Sequence, residues 1–171
     1  MTQDIDQREP PALSPKTMQT NTFENGLLRA FEEALPIALL RTRETVMARF
    51  RPHLSEHGMT EQQWRVIRAV QQQPGIDATA LSERCCILMP SLSRMLKTLE
   101  QDNLLSREKV EGDQRRQIIS LTPPGEDLFQ RMAPASDAIY AEIEAEYGKD
   151  EIARLIEQLQ TLRRKLSSSD P

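Results

Sequence analysis

The run P-S-L-S-R-M-L-K-T-L-E beginning at Pro90 sets small hydroxyl and basic side chains against an apolar stripe. Leu92, Met95, Leu96 and Leu99 fall at i, i+3, i+4 and i+7, the face of a short amphipathic helix. Ser91, Ser93, Arg94 and Thr98 are the chemistry-bearing positions away from that stripe, beside Lys97 and Gln101. Arginine donates two hydrogen bonds to a guanine edge, and small hydroxyls reach phosphates or bases without blocking approach. Pro90 suits a first helical position, where its missing N–H has no partner to lose. Asn103, after Asp102, suits a left-handed stop. Two runs with strand character follow, L-L-S-R-E-K-V and R-Q-I-I-S-L-T, with Glu111, Gly112, Asp113 and Gln114 as a hairpin tip. Asp113, Arg115 and Arg116 cluster there. A helix followed by a basic-tipped hairpin is the outline of a winged helix-turn-helix, a DNA-reading device.

Other reactive side chains are few. Cys85 and Cys86 are adjacent, so they close no loop, and too few ligands accompany them for zinc. Buried small core residues are the expectation, and a redox-sensing thiol is the sharper alternative. His53 and His57, the only histidines, are four residues apart, but Pro52 and Gly58 speak for a loop over residues 51–59. Surface histidines without a metal are expected. Arg43 lies among Leu39, Leu40, Val46, Met47 and Phe50 on one apolar face. A buried guanidinium cannot shed its proton and needs an anionic or polar partner. Glu44, Glu32 and Glu33 are candidates, and so is a bound carboxylate.

The elements that position these groups read off in order. Residues 1–22 carry Pro, Thr and Gln without apolar periodicity and are expected to be a disordered arm, with Met18 an alternative start. Residues 23–58 are an N-terminal dimerisation region of helical pattern. At Pro36 either one helix kinks, or a second begins with the proline in its first turn. Residues 59–122 hold the winged helix-turn-helix. Thr60 to Gln63 is a capping box opening a helix with Trp64, Ile67 and Val70, and Arg68 one turn past Trp64. Asp77 caps the next short helix, which presents Ala80 and Leu81 inward and turns at residues 85–89 into the reading helix. Residues 123–167 are C-terminal helices, with a kink or break expected at Pro134. Ile152, Leu155, Ile156, Leu159, Leu162 and Leu166 form a narrow seam that asks for a second copy of the chain. Residues 168–171 are a frayed tail.

Composition sets the bounds. A chain of 171 residues with 38% hydrophobic and 4% aromatic content suits one mainly helical domain with dimerisation arms. No apolar run approaches a membrane span and no signal segment opens the chain, so a soluble, cytoplasmic protein is expected. Net charge is −4, but residues 84–116 hold seven Lys or Arg against five Asp or Glu. Residues 126–151 hold two against eight. A locally positive head on an acidic body still binds a phosphate backbone. No nucleophile–base pair, metal set or phosphate loop supports an enzyme, and no cofactor is expected.

In this order the elements resemble a MarR-family regulator. Asp113-Gln114-Arg115-Arg116 leading through Ile118, Ile119 and Ser120 to Leu121-Thr122 and Gly125 matches the family's D-x-R…L-T-x-x-G wing signature, and the likeness spans roughly residues 36–166. The runs A-L-L-R-T-R-E-T-V-M-A-R-F-R-P, M-T-E-Q-Q-W-R and C-I-L-M-P-S-L are similar to the HpaR-type branch, repressors of homoprotocatechuate degradation operons. Asn103 stands where the family usually has glycine. The peroxide-sensing branch carries its cysteine near the start of the first long helix, where this chain has none.

The resemblance implies a mainly helical fold with a small hairpin wing between dimerisation helices, and a homodimer on a pseudo-palindromic operator. The residue 90–101 helices would enter successive major grooves, their centres ~34–36 Å apart. Arg115 would reach the adjacent minor groove, oriented by Asp113, with Arg116 beside it. It also implies a small aromatic carboxylate as effector, bound where the reading domain meets the dimerisation helices. Arg43 is the residue to pair its carboxylate, and Met47, Trp64 and Arg68 are its walls. A redox-gated repressor using Cys85 and Cys86, or a DNA-binding protein without effector, are the alternatives.

Overall fold

A computed structural model describes residues 30–110 and 113–167, with the side chains of residues 110 and 113–116 outside the described set. The expected disordered arm, the tip residues 111–112 and the 168–171 tail lie outside it. A 3-10 turn, Phe31–Glu33, is followed by α1 (Leu35–Glu56), α2 (Glu61–Gln72), β1 (Ile76–Asp77), α3 (Ala78–Cys85) and α4 (Met89–Gln101). Then come β2 (Leu105–Val110), β3 (Asp113–Leu121), α5 (Pro123–Tyr147) and α6 (Lys149–Ser167). The mainly helical winged-helix architecture expected from the pattern is the architecture observed. Two compact units divide the chain, one ending at Thr42 and the other beginning at Arg43. In the first, Arg41 pairs with Glu32 and lies 5.9 Å from the Phe31 ring centre.

Pro36 sits in the first turn of α1, so the second of the two alternatives holds. The expected loop over residues 51–59 is wrong for most of its length, because α1 runs on through Pro52 to Glu56. An interior proline costs about 3 kcal/mol in an isolated helix. Here Phe50, His53 and Leu54 are all buried, and their packing offsets that loss. Gly58, at φ 65°, then makes the turn that Met59 leaves. Of the kink or break expected at Pro134, the break does not occur, since α5 runs from Pro123 to Tyr147 with the proline inside it. Buried Met132 and Ser136 flank that proline and hold the helix on the core.

The core is one cluster, with Leu54, Ile67, Leu81, Leu92, Leu96, Leu99, Ile119 and Met132 fully buried. These residues come from α1, α2, α3, α4, β3 and α5, so the reading domain and the long helices share one interior. The sheet is three-stranded and antiparallel in the order β1-β3-β2. β1 was not anticipated; two residues carry too little alternation to be seen, and its partner Ile119 is distant in sequence. Gly75, at φ 77°, turns the chain into it and donates to the Ile119 carbonyl at 3.0 Å.

The wing signature has a structural cause at its C-terminal end. Thr122 donates its N–H to the Leu104 carbonyl at 3.1 Å and its hydroxyl to the Asn103 carbonyl at 2.5 Å. The same hydroxyl oxygen accepts from the Gly125 N–H at 3.2 Å, capping α5. A Cβ on Gly125 would overlap the Leu104 carbonyl oxygen and stand 3.0 Å from its carbon. Glycine is therefore required by close backbone approach. Asn103 sits at φ 56°, the left-handed stop foreseen for it. Together these residues lock the end of the wing onto the start of α5.

α6 has no buried residue among its nineteen. Its seam carries Ile156, Leu159 and Leu166 in the open, at 49%, 38% and 65% exposure. Among the described residues no helix is long and apolar enough to cross a membrane.

Candidate functional site

The reading helix is held from behind. Leu92, Leu96 and Leu99 are buried and Met95 is packed against the core, as the apolar stripe requires. Arg65 on α2 donates to the Cys85 carbonyl at 2.9 Å, and the Cys85 thiol faces the Arg65 carbonyl at 3.8 Å. Ser82 donates to the Ile87 carbonyl at 2.6 Å. These bonds fix the turn between α3 and α4, where Cys86 takes a left-handed conformation at φ 51° and ψ 49°. Such geometry is strained for a residue with a side chain and survives only where the surroundings impose it.

Outward, α4 presents Ser93, Arg94, Lys97 and Thr98, all exposed, while Ser91 is half-buried at the edge of the stripe. Arg94 donates through Nε to the Pro90 carbonyl at 3.3 Å, and the Thr98 hydroxyl donates to the Arg94 carbonyl at 3.3 Å. Both side chains thus lie along the helix surface. Leu88, at 80% exposure, and Met89 open the helix with apolar surface that the sequence reading had not singled out. At the far end Arg107 on β2 donates through Nε to Glu100 at 2.7 Å, tying the wing's first strand to α4. The β2–β3 ladder runs from Leu105↔Leu121 to Lys109↔Gln117, then shifts register before Val110↔Asp113. The strand therefore starts nearer the tip than the expected Arg116. The side chains of Asp113, Arg115 and Arg116 lie outside the described residues.

Behind the reading head, α1, α2, α3 and α5 line a cavity of about 340 Å³, within the range of small-ligand sites. Three of the four expected pocket residues, Met47, Trp64 and Arg68, line it together with Phe50, Arg65 and Tyr140. Arg68 donates to the Tyr140 hydroxyl at 2.8 Å and its guanidinium lies 5.6 Å from that ring's centre. Phe50 packs on Tyr140 at 4.9 Å between ring centres, and Trp64 stacks on Phe129 at 5.6 Å. The Trp64 indole N–H is buried and lacks a hydrogen-bond partner. Arg65, Arg68 and Arg84 outnumber the single carboxylate, Glu61, so the wall is cationic as well as aromatic. Surplus positive charge and flat apolar surface together suit a small aromatic anion.

Arg43 is the exception. It does not line the cavity, and it is exposed rather than set in an apolar face. Its guanidinium is shared between Glu44 and Glu61, each at 2.5 Å. Arg51 binds the same two carboxylates, reaching Glu61 at 2.7 Å. Arg51 and then Arg43 hold the Glu44 carboxyl below the usual range. At Glu61 burial pushes up, and the two arginines outweigh it, so its carboxyl is lowered too. The seven- and three-residue spacings placed Arg43 on the stripe, but Glu61 comes from the next helix and draws it off. Periodicity on α2 could have found the missed residues. Glu61, Arg65, Arg68 and Gln72 repeat at helical spacing and all face the cavity. Tyr140, from α5, had no such signal.

The cysteines divide. Cys85 is buried as expected, and burial pushes its thiol up, against thiolate chemistry. Cys86 is exposed, contrary to expectation, because the left-handed turn that ends α3 swings it outward. The histidines were also misplaced. His53 is buried on the last turn of α1, and His57 is half-buried in the turn just after it.

Known proteins bear the same marks. The MarR family pattern matches residues 59–116. The homoprotocatechuate degradative operon repressor of Escherichia coli is 40% identical over 128 residues, covering 75% of this chain and 86% of the relative. The structure of NadR in complex with 4-hydroxyphenylacetate superposes with a TM-score of 0.71 at 34% identity, covering 80% of this chain and 96% of NadR. That of the repressor CouR bound to a 23-mer DNA duplex gives 0.71 at 26% identity, covering 80% of this chain and 99% of CouR.

Proposed function

Because this chain belongs to the MarR family of transcription regulators and is not an enzyme, we propose that it is a homodimeric repressor of an aromatic-acid catabolic operon, released by a small aromatic carboxylate. The observation that carries the effector half is the cavity, where Arg68 stands in one apolar space walled by Phe50, Trp64 and Tyr140. NadR, at 34% identity, is a relative solved with 4-hydroxyphenylacetate, an anion of that size and chemistry. CouR supports the DNA half.

In this reading Ser91, Ser93, Arg94 and Thr98 face the major groove, and Arg115, with Asp113 and Arg116 beside it, serves the wing. The carboxylate pairs with Arg68, which replaces Arg43 as the anchor, and the ring lies against Phe50, Met47 and Trp64. The cavity walls come from α1, α2, α3 and α5, and α5 leads directly into α6 with its open apolar seam. A second copy covering that seam sets the spacing of the two reading helices. An effector that prefers a spacing unsuited to ~34–36 Å half-sites lowers DNA affinity by that preference. Burial of Cys85 speaks against that thiol as a redox sensor, and of the pair only Cys86 is exposed.

The test is binding of the purified protein to its own upstream DNA, by fluorescence anisotropy, with and without 4-hydroxyphenylacetate. Tight, salt-sensitive binding that the acid weakens supports the whole reading. Binding untouched by any aromatic acid removes the effector, and absence of specific binding at every salt concentration removes the operator.

A further inference from the structure

The end of α1 and the turn after it hold a group of side chains that neither DNA nor effector uses. His53, Glu56 and His57 offer ligand atoms that all lie within 4.8 Å of one another. Because α1 continues through Pro52 to Glu56, His53 and Glu56 share its last turn, and His57 follows in the turn that leaves the helix, its N–H on the Leu54 carbonyl. The hydrogen bonds decide which ring nitrogens are available. His53 Nε2 lies 3.1 Å from the Met132 carbonyl oxygen, and His57 Nδ1 lies 3.0 Å from the His53 carbonyl oxygen. A carbonyl only accepts, so both of these nitrogens carry the proton and donate. The lone pairs are therefore on His53 Nδ1 and His57 Nε2. Metal-binding histidines are commonly fixed in this way, one nitrogen donating to a carbonyl or carboxylate and the other ligating. The rings meet edge to face at 5.0 Å between centres.

We propose that His53, Glu56 and His57 form a binding site for a borderline divalent metal ion, Zn²⁺ in the first instance. Two imidazoles and one carboxylate suit zinc, and hard cations such as Mg²⁺ prefer an all-oxygen set. Exposed Glu56 and half-buried His57 give the ion a way in, and buried His53 carries its effect inward. A metal on Nδ1 withdraws electron density from the His53 ring and strengthens its N–H bond to Met132. The ion thereby tightens the link between α1 and α5. This inference stands independently of the operator and the effector.

The full chain, freed of metal by chelation, is titrated with Zn²⁺ in competition with a chromophoric zinc indicator, with Mg²⁺ as the control. One Zn²⁺ per chain is expected, with no Mg²⁺ response. Glu56→Gln and His57→Gln should each weaken zinc binding more than tenfold, and the Cys85→Ser, Cys86→Ser double variant should bind as the parent does. Zinc should also raise the thermal midpoint of the parent and leave that of His57→Gln unmoved. Glu56 is exposed, so its variant tests ligation apart from folding; far-UV circular dichroism checks this. Absence of stoichiometric zinc overturns the proposal. So does binding that persists unchanged in either ligand variant, or that disappears with the cysteines.

Discussion

Gly125→Ala inverts an ordinary rule. In a helix, replacing glycine by alanine stabilises by up to ~1 kcal/mol, because alanine surrenders less backbone freedom. At Gly125 the added methyl overlaps the Leu104 carbonyl oxygen, and a backbone group, unlike a flexible side chain, cannot step aside. Overpacking of this kind costs about 1–3 kcal/mol. Relieving it by moving α5 away also stretches the Thr122 N–H bond to Leu104, at 3.1 Å, and the Thr122 cap on Gly125, at 3.2 Å. Each is worth about 1 kcal/mol. Against the propensity gain, the net destabilisation is about 2–4 kcal/mol. Urea unfolding at fixed protein concentration measures it, as a lowered midpoint with unchanged slope. Operator affinity should fall as well, because the displaced segment carries the wing. A variant as stable as the parent, or more stable, refutes the account of why glycine stands in the L-T-x-x-G signature.

Arg68→Met should leave operator binding intact without effector while raising the 4-hydroxyphenylacetate needed for half-release ~10–100-fold, the value of a charged hydrogen bond; anisotropy titration reads it. Arg115→Ala should reduce the salt slope of log affinity by about one per protomer, whereas Arg94→Ala should chiefly relax base preference. Leu159→Lys places a charge on the open α6 seam; sedimentation should report a shift from dimer to monomer, and an unchanged dimer would place the interface elsewhere. Glu61 has a lowered folded-state carboxyl pKa, so its contribution is full above the unfolded value near 4.5 and disappears as pH falls through the folded one. The stability gap between the parent and Glu61→Gln should therefore be constant at neutral pH and close only in urea melts taken below the unfolded value near 4.5.

Much of this protein follows from local sequence. The stripe Leu92, Met95, Leu96 and Leu99 defined α4 and its outer face, because helical periodicity is a property of neighbours within two turns. Thr60, Asp77 and Asn103 marked their caps and stop for the same reason. The α6 seam showed an unpartnered face before any coordinates, since nothing in its own pattern covers it. The tertiary structure decided what depends on groups far apart in the chain. Pro52 suggests a loop and Pro134 a kink or break, yet both stand inside continuous helices, with His53, Leu54, Met132 and Ser136 buried beside them. Glu61, eighteen residues on, drew Arg43 out of its expected role, and Tyr140 came from α5 to face Arg68. His53 and His57 acquired their tautomers only when α1 ran on and Met132 supplied its carbonyl. Sequence carries the propensity of a segment, and the partner that overrides or completes it is chosen only when the chain is packed.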